Sequence, residues 1–296
     1  MLDKTFFRYL GKLSVFTLTV WSFISGLLQG VLGYIDPSTF GPEQALAPLL
    51  PLFLTCLLNA GVVLWIAKRT SLAGRKLGAL VFAVVFGVMF FLPQMESVYF
   101  NGVLQIPLGV IGATLVSGLG VGWVSAKVAV EFRQEEQVAV STPPLKVVHP
   151  REKIVVLAVL YVIFYFVFGY YIAWQAPEVR AFYSGNEALL PFWAHLEQQA
   201  AGLFVLQFVR GVLWALIGYI VAVNLSSIST RERMILVGLA LSVGLAFPIL
   251  VPNPYMPWIV RRVHFVELLV ENFLFGAIAA WLFSPNMRRA GFVSGA

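Results

Sequence analysis

The stretch Arg261-Arg262-Val263-His264-Phe265-Val266-Glu267-Leu268-Leu269-Val270-Glu271-Asn272-Phe273-Leu274-Phe275-Gly276 opens the last strongly apolar segment of the chain and carries ionisable groups into it. The segment runs on without charge to Phe283, which at a rise of about 1.5 Å per residue is enough to cross about 30 Å of hydrocarbon. At about 100° per residue, Arg261, His264, Glu267 and Glu271 share roughly a third of the helix circumference. Two carboxylates one turn apart in a membrane helix are costly unless something opposite satisfies them. Arg210 is the one Lys or Arg in the middle of an apolar segment, so the sequence pairs it with Glu267 and Glu271.

The rest of the chain agrees with a bilayer. Of 296 residues, 59% are hydrophobic and 11% charged, about half the charge of a soluble domain. The apolar residues fall in long blocks rather than alternating or amphipathic patterns. Cys56 is alone, which excludes an intrachain disulfide. The net charge of +6 is scattered over short loops, which fits a membrane and not nucleic acid. The first segment has no small-residue cleavage site after it and reads as an uncleaved anchor.

The predicted fold is an all-α bundle of about eight transmembrane helices, near 13–35, 45–67, 77–93, 102–125, 154–174, 201–223, 234–251 and 260–283. Pro93, Pro248 and Pro252 mark the ends of the third and seventh. Residues 1–12 place Lys4, Arg8 and Lys12 on one stripe and predict a separate interfacial helix. With the N-terminus cytoplasmic, sixteen of the twenty Lys and Arg fall on the inner side, three (Arg180, Arg261, Arg262) outside and Arg210 within. That imbalance is the positive-inside pattern and places both termini inside an inner (plasma) membrane.

The inner connection of about 126–153 contains Ser141-Thr142-Pro143-Pro144. Its part 131–153 reads as a linker between two four-helix halves, 13–130 and 154–285, with 286–296 a cytoplasmic tail. A shift of 158 residues superposes the basic loops 68–76 and 226–234 and aligns Gly118 with Gly276. This suggests a parallel 4+4 internal repeat. Under it Glu267, Glu271 and Arg210 fall on Gly109, Ala113 and Leu52, which assigns the charged site to the second half alone. The longest outer loop, roughly 175–199, carries Pro177 and Gly185 as start and stop of a short helix over the surface.

Three constellations carry chemistry. The first is an intramembrane ligand or proton site of Arg210, Gln207, His264, Glu267, Glu271 and Asn272. The second is His195, Glu197, His264 and Glu267, four groups that could ligate a divalent metal in spacings belonging to no metal signature; the sequence otherwise implies no cofactor. The third is Arg261-Arg262, suited to a phosphate or carboxylate headgroup, with a snorkelling pair as the plainer reading. Gly109, Gly112, Gly118, Gly120 and Gly122 read as close helix packing, not as a phosphate loop.

The leading function is non-enzymatic: binding or transport of a small polar, anionic or lipidic ligand from the outer side. An intramembrane enzyme on a lipid or lipid-linked substrate, and a structural subunit of a membrane complex or oligomer, are the alternatives.

Overall fold

The computed structural model describes residues 4–33, 48–136 and 142–284. The loop at 36–41, part of the linker and the tail beyond residue 284 lie outside them. Eight described helices are long and apolar enough to span a membrane: α1 (Lys4–Val31), α2 (Leu49–Arg69), α3 (Gly74–Tyr99), α4 (Leu108–Glu135), α5 (Pro150–Ala173), α8 (Ala201–Asn224), α9 (Thr230–Leu250) and α10 (Trp258–Leu282). Two short helices, α6 (Pro177–Ser184) and α7 (Phe192–Glu197), join α5 to α8. Pro177 starts α6 and Gly185, in the left-handed region at φ 69°, stops it, as their positions predict. Every spanning helix turns large apolar side chains outward, Phe23, Leu50 and Trp123 among them. In water such a surface would aggregate; against lipid tails it is the solvated face. The molecule is a multi-pass membrane protein.

Two cores hold the bundle. One joins α1 to α4 through Leu13, Leu64, Phe90 and Phe132. The other joins α5, α8, α9 and α10 through Tyr161, Trp214, Leu241 and Phe275, and takes in Val62, Ile66 and Val88 from α2 and α3. Within the first half α4 packs on α1 and α3, and α1 on α2. Within the second half α10 packs on α5 and α9, and α5 on α8. The same pairs recur in the same order in the two sets of four helices. The two basic loops also touch: Ser227 Oγ donates to the Arg69 carbonyl at 3.1 Å across an offset of 158 residues. Arg133 donates to the carbonyl of Ala67 and Arg233 to that of Leu225; the two carbonyls are 158 positions apart, whereas the arginines are not equivalent under that shift. Each guanidinium satisfies carbonyls orphaned at a helix end.

No break separates residues 4–12 from the first span. Phe6 and Tyr9 are buried and pack on Phe132 of α4, while Arg8 pairs with Glu135 and Lys12 with Glu131 at 2.6 Å. The cationic stripe is used against α4 rather than leaving the bundle as its own helix.

The helices are interrupted at corresponding places. In α3, Val85–Phe91 winds as a π-turn, with Leu92 N–H bonded to the Gly87 carbonyl five residues back. The helix therefore restarts at Leu92 with Pro93 in its first turn, where a missing N–H costs nothing, and continues to Tyr99. The predicted end at residue 93 is too early for this reason. In α9 the closing turn Phe247–Leu250 is 3-10, and 247–250 lies 158 residues after 89–92. A third irregularity, the π-turn Gly169–Ala173, closes α5.

Glycines set the closest crossings. A Cβ on Gly276 would lie 2.7 Å from the Val237 carbonyl oxygen and 2.9 Å from Gly238 Cα, both backbone atoms of α9. Gly118 lets α4 close on Phe90, whereas Gly112 has open space around it. Gly276→Val is therefore expected to cost about 1–3 kcal/mol, the range for overpacking a core. A lowered melting temperature in detergent, with Gly112→Ala unchanged, is the expected outcome; equal melting of both variants would contradict it.

Candidate functional site

Sequence and span lengths place Arg210 nine residues into α8, Glu267 nine residues into α10 and Glu271 at its midpoint, roughly 14–20 Å along the helices. At that depth an unsatisfied charge costs several kcal/mol, so each must be accounted for. Arg210 is 1% exposed. Its Nη2 lies 2.9 Å from Glu96 Oε2, an ion pair without hydrogen-bond alignment, and its Nη1 donates to Gln207 Oε1 at 2.6 Å. Gln207 Nε2 in turn donates to Glu96 Oε1 at 3.3 Å, which closes the triangle. The expected pairing of Arg210 with Glu267 and Glu271 is thus replaced by one with Glu96. Glu96 belongs to the end of α3, which the sequence ends three residues earlier.

Glu267 pairs within its own helix, its Oε2 lying 2.5 Å from His264 Nδ1. Its other oxygen rests on Gly169 in the π-turn of α5, where a Cβ would approach to 3.2 Å. His264 Nε2 has no partner among the described residues, and neither has Glu271 Oε1, on a side chain 1% exposed. Tyr183 of α6 closes edge-on over the His264 ring at 5.7 Å between centroids. Burial, and then the carboxylates of Glu96 and Glu267, hold the Tyr183 phenol above its ordinary range, so it stays a neutral group.

Arg210, Glu96, His264, Glu267 and Glu271 line one cavity of about 1400 Å³ bounded by described residues. All eight spans contribute to it. From the first half come Trp21, Ser25, Phe90 and Thr114, and from the second Tyr161, Tyr165, Leu203 and Leu268. The irregular turns face it through Met89, Phe90, Gly169 and Pro248. Its wall also includes the exposed residues Ser184, Gln198 and Asn253, at the end of the bundle remote from the basic loops. The cavity thus reaches from the surface to Glu271 at mid-depth.

No family model, curated protein or solved structure matches this chain. The site has to be read from its own geometry.

Not every predicted residue reaches the cavity. Arg261 is buried and donates to the Leu250 and Met256 carbonyls, stapling the α9–α10 connection, and Arg262 lies outside the wall. Arg180 does the same for the end of α5, donating to Trp174, Gln175 and Glu187 carbonyls. Asn272 donates to the Leu268 carbonyl at 3.0 Å and, like Gln207, stands behind the lining. Of the four metal candidates, His195, His264 and Glu267 line the cavity and Glu197 is exposed on α7. Among the described residues no three His, Cys, Asp or Glu gather closely enough to hold a metal ion. His195 instead packs tilted against the Trp174 ring, 4.6 Å between centroids.

Sequence reading missed Glu96 and the aromatic wall. The polar run Gln94-Met95-Glu96-Ser97 behind Pro93 is the signal that pointed to the former.

Two measurements follow from this geometry. Glu96→Ala strands a buried guanidinium and is expected to cost on the order of 3 kcal/mol, whereas Arg210→Met with Glu96→Leu recovers most of it. Chemical unfolding in detergent checks this, and an unperturbed Glu96→Ala would reject the pairing. Burial holds the His195 imidazole below its usual range, so the folded state prefers it neutral. Stability should therefore fall as pH drops below the ordinary histidine value of about 6.5, and fall less in His195→Gln; parallel melting curves from pH 7.5 to 5 would contradict this.

Proposed function

We propose that this protein binds, and passes across the membrane, an amphipathic, lipid-like molecule taken into the cavity from the outer side. The observation that carries the reading is the mixed wall. A large pocket mostly of aromatic and aliphatic side chains ends at a small set of ionisable groups at mid-membrane depth, the composition of a ligand site and not of a packed core. The helix interruptions at corresponding places in α3 and α9, both on the cavity, support it, since broken helices at repeat-related positions mark transporter sites. The sidedness rests on the positive-inside argument, with the basic loops cytoplasmic in an inner membrane. Native mass spectrometry of protein extracted in mild detergent tests it. A lipid-like adduct is expected on the wild type and absent from Thr114→Trp, which fills the wall; no adduct, or an equal one on both, counts against it.

The His264–Glu267 pair favours a second reading, an enzyme acting on lipid-linked substrates. A carboxylate on Nδ1 fixes the tautomer and leaves Nε2 as an acid–base group beside the cavity. Reconstituted protein would then alter the lipids of its own membrane extract, and His264→Gln would not.

A further inference from the structure

We infer that the ligand carries a positive charge, seated against Glu271: the cavity is built for a lipophilic organic cation such as a quaternary ammonium or phosphonium. This rests on the cavity being the ligand site.

The charges on the wall decide it. Three carboxylates line the cavity, Glu96, Glu267 and Glu271, against one guanidinium and no lysine. Arg210 is charge-paired with Glu96 and donates to Gln207, so its charge is already balanced, although its Nε and Nη2 make no hydrogen bond among the described residues. Glu267 faces His264. Glu271 is left, at the deepest point, with an oxygen that no described group satisfies. Arg261, in the first turn of the same helix, is turned to backbone carbonyls. A buried carboxyl group is stable as the anion only beside a cation and is otherwise protonated, and in neither form does it attract an anion.

The neutral part of the wall has the matching chemistry. Trp21, Phe90, Tyr161, Tyr165, Tyr170 and Trp174 all contribute to it. Ring faces attract a desolvated cation through their quadrupoles, and a bulky alkyl or aryl shell buries its apolar area against the same rings. Already Arg210 lies over the Tyr161 ring at 5.8 Å, so that face does accept positive charge. The chemistry recognises a diffuse, poorly hydrated cation with an apolar shell, and discriminates against a compact hydrated one.

Equilibrium dialysis of protein in nanodiscs, with empty discs subtracted, tests this with three probes of one shape: tetraphenylphosphonium, tetraphenylborate and neutral triphenylphosphine oxide. Saturable binding of the cation, at least tenfold tighter than either of the others, is expected. Glu271→Gln should weaken it tenfold or more with melting unchanged, and Glu271→Asp should keep the preference for the cation. If the anion or the neutral probe binds as well as the cation, or Glu271→Gln leaves cation affinity intact, the charge assignment is overturned while the cavity stands as a ligand site. Saturable binding by none of the three overturns both.

Discussion

The contact on which the rest of this structure depends is the one between Arg210 and Glu96, with Gln207 bridging them. It joins α8 of the second half to α3 of the first, deep in a region of low dielectric. Breaking such a pair by removing one partner strands a charge that neither lipid nor the apolar core can solvate, so the pair fixes how α3 and α8 meet. The pair also determines what is left over. With the guanidinium charge-paired to Glu96, the carboxylates of α10 have no cation paired with them among the described residues except His264, and Glu271 has none.

The backbone is arranged around that residue. The π-turn of α3 shifts the helix so that it passes Pro93 and delivers Glu96, and the π-turn of α5 brings Gly169 against Glu267. The 3-10 turn of α9 ends the corresponding helix of the other half at the same cavity. Away from the site the crossings are tight and regular, as at Gly276 on Gly238. Irregular backbone is confined to where it lines a pocket, which is the condition under which a membrane tolerates it.

The number and order of the spanning helices were legible in the sequence, because a hydrocarbon slab imposes one length and one composition on each. Arg210 and Glu271 stood out for a related reason: a charge in a long apolar block is conspicuous. Their partners did not. Pro93 is an orthodox place to end a helix, and the π-turn just before it leaves no trace in a 3.6-residue periodicity, so the predicted helix stops short of Glu96. Arg261 and Arg262 read as a pair of outward cations, yet Arg261 faces carbonyls of the preceding connection, a tertiary outcome that spacing does not encode. The assignment of the charged site to the second half alone failed on the same point, since Glu96 comes from the first. The aromatic wall was invisible because its rings come from segments far apart in sequence.

The central claim is that a path from the surface reaches between Glu267 and Glu271, and Leu268 on that wall reports it most directly. With the buried Cys56 changed to Ala, a Leu268→Cys variant in intact cells should react with a membrane-impermeant thiol reagent added outside. Labelling that a bulky cavity substitution such as Thr114→Trp suppresses is the predicted result. Complete protection of Leu268→Cys from the outside, with the protein folded and inserted, would contradict the account.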